Sequence, residues 1–184
     1  MGPWEKTFDY LNQGFFTSLI KKYTEGEFIE DYIATLGAQF TQYKEEVDGT
    51  PCELFFWDIA GQESFQPLRP KFYKGSRAAI IVFSHEDNEH GKKSFKNVGK
   101  WYEDVMKTCG TLPVILFGNK IDLIDKDSLV KNKEKPTSNY NVDILRGKYN
   151  FADYYLTSAL SGEGVTKAFQ ALIRRLYQAY KYFA

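Results

Sequence analysis

Cysteine is scarce in this sequence, and the two present, Cys52 and Cys109, share no motif spacing. Two thiols are too few for a disulfide framework, so the expected compartment is a reducing one, cytoplasm or nucleus. Charge of one sign is lacking as well: 24 Lys plus Arg face 24 Asp plus Glu. That balance gives no sign of a nucleic-acid binder or a polybasic membrane protein and is otherwise uninformative about partners. No apolar run approaches the roughly 18 residues of a membrane span. The opening MGPWEK has no signal-type apolar core, and Lys6 stands where a myristoylation site requires Ser or Thr. The closing AYKYFA carries no terminal cysteine, so no lipid anchor is expected. His85 and His90 lie in the polar run SHEDNEHGKK, which reads as a surface loop without a metal-type partner.

What is there suits one domain. No repeat or low-complexity linker divides the 184 residues, and a chain of that size buries roughly 70% of its unfolded surface in a single core. Phe and Tyr dominate a 17% aromatic content, which supplies both a packed sheet and a sticky surface. Residues 1–16 alternate at Trp4, Phe8 and Tyr10 like a strand, yet Leu11, Phe15 and Leu19 recur at helical spacing, so both readings stand. From Thr17 a helix is clear, with Leu19, Ile20 and Tyr23 on its apolar stripe and Gly26 closing it. A strand from Ala38 to Val47 turns at Asp48 and Gly49 into a second one, Cys52 to Trp57. SFQPLRPKFYKGS, with two prolines, reads as an irregular loop.

AAIIVF at 78–83 and LPVILF at 112–117 are continuous apolar runs, the mark of strands covered on both faces. Between them Phe95, Val98, Trp101, Tyr102, Val105 and Met106 recur at three and four residues, an amphipathic helix. Asp125 to Asn141 reads as a solvated charged excursion. Tyr154 to Leu156 is a last short strand, followed by a helix carrying Val165, Phe169, Leu172, Ile173, Leu176 and Tyr180. Strands alternating with helices predict an α/β fold with a mostly parallel sheet.

Three short strings then fall after three buried strands: DIAGQ at 58–62, NKID at 119–122 and TSA at 157–159. The carboxyl ends of such strands are where phosphate and nucleotide chemistry collects in open α/β sheets. A carboxylate at Asp58 can hold Mg²⁺ through water, the Gly61 amide can meet a terminal phosphate, and Gln62 can orient an attacking water. Asp122 can accept from both the N1 and the exocyclic amine of guanine, a pair that adenine does not offer. Each string alone has a plainer reading: an Asp turn, a surface turn, and a helix start capped by Ser158.

With its flanks, YIATLG, FFWDIAGQESFQPLR, SFKNVGKWYEDVMKTCGTLPVILFGNKIDL and TSALSGEGV, the chain resembles a Ras-superfamily small GTPase over about residues 17–178. It is most similar to the Ran and Rab branches, with ATLG and KNVGKW nearest Ran and EGEFIEDY leaning equally to Rab and the septation GTPases. The resemblance implies a three-layer, phosphate-loop-NTPase-like G domain with a six-stranded, mostly parallel sheet and helices on both faces. Its cofactors would be GTP or GDP with Mg²⁺. Thr17, Thr35 and Asp58 would hold the metal, Gly61 would sense the phosphate, and Gln62 would be the catalytic residue of an active member. Asn119, Lys120 and Asp122 would select guanine, with Ser158 and Ala159 supporting the base. Leu160 departs from the family's lysine after Ser-Ala.

The pattern breaks before Thr17. A family member carries G-x-x-x-x-G-K-S/T, whose glycine amides and lysine cradle the phosphates at a helix N-terminus. Here Phe16 stands at the lysine, Phe15 at the second glycine and Tyr10 at the first. Residues 1–16 therefore read as an atypical segment replacing the first strand and phosphate loop, with the G domain at 17–184. EKTFDY is also half charged, and a central strand carrying Glu5, Lys6 and Asp9 would bury unpaired charge. Three outcomes follow: a distorted first strand, a gap filled by another element, or a strand lent by a second chain.

The functions open to such a chain are a pseudo-GTPase, an active switch with an unconventional phosphate site drawing on Lys6, Lys21 or Lys22, and an interaction module with a vestigial site. The expected partners are a protein effector or regulator at residues 28–40 and 58–77, and a second copy at the aromatic head of Trp4, Phe8, Phe15 and Phe16. No nucleic acid is expected among them.

Overall fold

Two strands that are apolar without interruption need cover on both faces, and the rest of the chain is arranged to supply it. The computed structural model describes residues 5–11, 15–28, 37–61 and 63–183, of which 5–11, 15, 63, 182 and 183 are described by their backbone alone. In chain order the elements are β1 (Glu5–Leu11), α1 (Phe15–Glu25), β2 (Ala38–Val47), β3 (Thr50–Ile59), α2 (Arg69–Tyr73), β4 (Ala78–Ser84) and α3 (Glu89–Cys109). They continue with β5 (Val114–Asn119), α4 (Lys126–Lys131), α5 (Asn139–Tyr149), β6 (Asp153–Leu156) and α6 (Val165–Phe183). Short 3₁₀ turns occupy Glu63–Leu68 and Ile121–Leu123.

The strands form one six-stranded sheet in the order β2-β3-β1-β4-β5-β6. β1 runs parallel to both β3 and β4, β4 to β5 and β5 to β6, while β2 pairs antiparallel with β3. The chain's own residues 5–11 thus stand in the central slot between β3 and β4. Of the three outcomes for the half-charged head, no borrowed strand and no substitute element is used there.

Every residue of β4 and β5 is buried. Alternate residues of β4 serve opposite faces: Ala78, Ile80 and Val82 join the layer packed by α1 and α6, and Ala79, Ile81 and Phe83 join the layer packed by α3. That split is the two-residue period of a strand expressed in three dimensions. On the first face α6 presents Phe169, which stacks on Tyr23 at 4.4 Å and meets Phe56 and Phe117 edge-on at 5.6 and 5.5 Å. On the second, Val98, Trp101 and Val105 of α3 cover Ile81 and Leu116, with Tyr73 of α2 beside them.

Two stretches depart from the expectation. SFQPLRPKFYKGS is not an irregular loop but a 3₁₀ turn running into α2, because Pro70 sits within the first two positions of that helix, where no N–H is needed. The solvated excursion contains α4 and the start of α5. α5 buries only Val142 fully, so its apolar signal is faint, but the Ser138 hydroxyl caps it by accepting from the Asn141 N–H.

Phe169 anchors α6 to the sheet through Phe56 and Phe117 and to α1 through Phe16 and Tyr23, so Phe169→Ala is expected to cost about 3–5 kcal/mol of unfolding free energy. Urea denaturation measures it, and a loss under about 1 kcal/mol would show that the aromatic cluster does not hold this helix.

Candidate functional site

Parallel strands covered on both faces deliver their carboxyl ends, with the turns that follow, to one edge of the sheet. β3, β5 and β6 each carry one of the three strings to that edge. Asp58, the second-last residue of β3, is 2% exposed, and its Oδ2 accepts a hydrogen bond from the Thr17 hydroxyl in the first turn of α1. Two of the three expected metal residues are therefore in contact. Thr35 and Gln62 lie outside the described residues.

Gly61 follows at the end of the string, and its carbonyl accepts from Arg69 Nη2 at 3.1 Å. Arg69 is buried; its guanidinium lies 3.8 Å from the Trp101 ring centroid and 3.9 Å from the Asp104 carboxylate. The arginine thereby ties the turn after β3 to α3. Sequence reasoning missed it, since an Arg in a proline-rich stretch reads as a surface residue.

At β5 the backbone turns through Lys120, whose φ of 64° is left-handed. Such a conformation is held by its surroundings. Here Asn119 is buried, and its Oδ1 accepts from the Ala159 N–H at 3.1 Å and the Thr157 hydroxyl at 3.3 Å. The Ile121 N–H bonds the Thr157 carbonyl at 3.3 Å. Asp122 Oδ1 accepts from the buried Ser158 hydroxyl. Asn119, Asp122, Ser158 and Ala159 are thus one bonded unit. Asp122 is exposed, and its Oδ2 has no bond among the described residues, which leaves an acceptor for a ligand's donors. Leu160, at the position of the departed lysine, is 53% exposed.

The Lys120 ammonium meets Glu86 Oε2 at 2.8 Å, and that carboxylate also accepts from the Ser84 hydroxyl at 2.9 Å. Burial alone would raise the Glu86 pKa; the bonds from Lys120 and Ser84, with the Lys120 and His90 charges, outweigh it and hold the carboxyl below its ordinary range. Glu86 was not among the residues singled out by sequence, because an acid in a polar run gives no signal of its own.

His85 overturns its surface-loop reading. It is fully buried, with Nε2 3.0 Å from the Tyr154 hydroxyl and Nδ1 without a hydrogen-bond partner. The ring fits beside β5 because position 118 is glycine; a Cβ there would lie 2.4 Å from His85 Nε2. His90 is exposed as expected.

The phosphate side differs. Phe16, at the lysine position, is fully buried in the α1–α6 layer, its ring 6.2 Å from that of Phe169. It does not belong to a partner-facing aromatic head. Lys22 directs its ammonium to the Gly26 carbonyl, 3.2 Å away at the far end of α1. The donor set therefore fits a guanine base edge, with Asn119 and Asp122 to hold it and Lys120 to lie along it. Among the described side chains, the first turn of α1 presents Phe16, Thr17 and Ser18 and no cation.

No described helix is long and apolar enough to cross a membrane. Compared with known families, residues 16–178 match the model of the Ras family.

Asn119→Ala leaves the Ala159 N–H and the Thr157 hydroxyl without their acceptor. A loss of about 1–3 kcal/mol in chemical denaturation is expected with no ligand added, and an unchanged midpoint would refute the tie. His85 yields a pH prediction. Burial first, and the positive charge of Lys135 second, push its pKa from 6.5 down to about 3. Below 6.5 the unfolded chain takes up the proton and the folded chain does not, so stability falls as pH drops from about 6.5 towards about 3, by up to about 1.4 kcal/mol per unit. Melts of the wild type and His85→Leu from about pH 7 to about pH 4 check this; the variant should show the shallower slope, and equal slopes would remove His85 as a source.

Proposed function

The chain belongs to the Ras family of small GTP-binding proteins, and on that premise we propose that it is an atypical Ran/Rab-like member working as a pseudo-GTPase. It recognises guanine weakly, hydrolyses GTP little or not at all, and acts by binding a protein at its switch surface. The observation that carries this reading is Phe16 buried in the core. A lysine at the start of α1 would place a charge at the β and γ phosphates; a phenylalanine packed on Phe169 supplies neither charge nor hydrogen bond.

The guanine half of the reading rests on Asn119, Lys120 and Asp122, with Ser158 and Ala159 behind the base. Mg²⁺, where bound, would be held by Thr17, Asp58 and Thr35, and would supply charge neutralisation at the phosphates. The partner half rests on an aromatic strip across β2 and β3. Phe40 is 48% exposed, stacks on Phe55 at 5.4 Å and leans on Trp57 at 5.3 Å, and Trp57 meets Phe72 at 5.7 Å. An exposed aromatic backed by half-buried ones, here Phe40 on Phe55, Trp57 and Phe72, is a usual anchor of a protein interface. Phe40 and Phe72 lie within the expected surface at 28–40 and 58–77, and Phe55 and Trp57 of β3 bridge them.

A second reading, an active switch with an unconventional phosphate site, is favoured by one contact, the Thr17 hydroxyl on Asp58. Phosphate release separates the two. Purified protein titrated with labelled GDP and GTP in Mg²⁺ should bind both weakly, on the order of micromolar or worse. GTP turnover should equal that of buffer, and Gln62→Leu should change nothing. Sub-micromolar affinity with measurable phosphate release that Gln62→Leu abolishes would establish the active switch instead.

A further inference from the structure

α3 carries Lys93, Lys100 and Lys107 at intervals of seven residues. Seven residues are nearly two full turns, so the three ammonium groups form a row along one side of the helix at steps of about 10.5 Å. All three are exposed, and none has an ion-pair or hydrogen-bond partner among the described residues. The row borders a groove of about 480 Å³ between α3 and the segment after β3, lined also by Gly61 and by the buried Arg69 and Trp101.

Two carboxylates stand in the same wall, and both are engaged. Asp104 accepts from the Tyr73 hydroxyl at 3.3 Å and faces Arg69, and Glu103 accepts from the Tyr149 hydroxyl at 3.1 Å. Four cationic side chains, Arg69, Lys93, Lys100 and Lys107, outnumber the two carboxylates, so the groove lining is net positive on a molecule whose total charge is balanced. A concave site of this kind gathers a partner of opposite sign.

We infer that this groove docks an extended acidic segment of a partner protein, with carboxylates recurring about every third residue. A polyproline-type chain has three residues per turn and rises about 3.1 Å per residue, so carboxylates three apart share one side at a spacing of about 9 Å, close to the lysine step. Glu103 and Asp104 in the wall oppose a continuous phosphate backbone or a bilayer surface, whereas a segment with spaced carboxylates meets the lysines and avoids them. The groove shares no residue with the aromatic strip and does not depend on any nucleotide at Asn119 and Asp122. Because Arg69 Nη2 bonds the Gly61 carbonyl at 3.1 Å, an occupant also touches the arginine that sets the turn after β3.

The test is fluorescence anisotropy on the full chain with a fluorescein-labelled peptide of about nine residues bearing glutamate at every third position. Saturable binding that weakens as salt rises from about 50 to about 200 mM is expected. Lys100→Glu and Lys107→Glu should each weaken it at least about tenfold, and the neutral Lys100→Gln less, while Lys167→Glu on α6 should leave it unchanged. Circular dichroism verifies that each variant is folded. No saturable binding, an equal loss with Lys167→Glu, or preference for phosphatidylserine vesicles or a single-stranded oligonucleotide would overturn the assignment.

Discussion

The contact between Phe16 and Phe169 decides what the amino end of α1 can do. A helix N-terminus offers free N–H groups and a partial positive charge, and in this family a neighbouring lysine completes the phosphate cradle. Here the residue at that position turns inward, fully buried, and helps to fasten α1 against α6 and the first face of the sheet. One side chain cannot both fill the core and reach a phosphate. The exchange favours packing over ligand charge at that position.

The residues proposed to hold the base are kept together by separate contacts. Guanine recognition needs a few side chains held at the end of β5 and backbone from the turn after β6. Asn119, Ser158 and Ala159 are bonded to one another or through Asp122 without help from the phosphate side. Loss of the lysine therefore does not loosen them. Between the two ends, Arg69 secures the turn at Gly61 to α3 through a carbonyl bond and a stacked indole.

Much of the fold was legible because its signals were local and strong. AAIIVF and VILF could only be strands covered twice, and the spacing of Val98, Trp101 and Val105 could only be an amphipathic helix. α5 was not legible, since one buried valine among polar residues does not mark a face. α2 was hidden by its prolines, which are tolerated in a first turn. In the site, the strings at 58–62, 119–122 and 157–159 were visible as motifs at strand ends, but the residues they contact were not. Glu86, Arg69 and His85 each act through a residue far away in sequence, and a polar run such as SHEDNEHGKK gives no sign that its second residue is buried beneath Tyr154.

By itself the sequence determined the strands β2 to β6, the helices α1, α3 and α6, the three strings at strand ends, and the departure from the family's lysine and glycines before Thr17, because periodicity and residue chemistry are properties of short segments. Only the tertiary structure decided that residues 5–11 occupy the centre of the sheet, that Phe16 points into the core, that Lys120 is paired with Glu86, and that three lysines of α3 border an open groove. Each of those depends on which distant segment is brought alongside, and that is settled by the burial of both sheet faces together, not by any one stretch of chain.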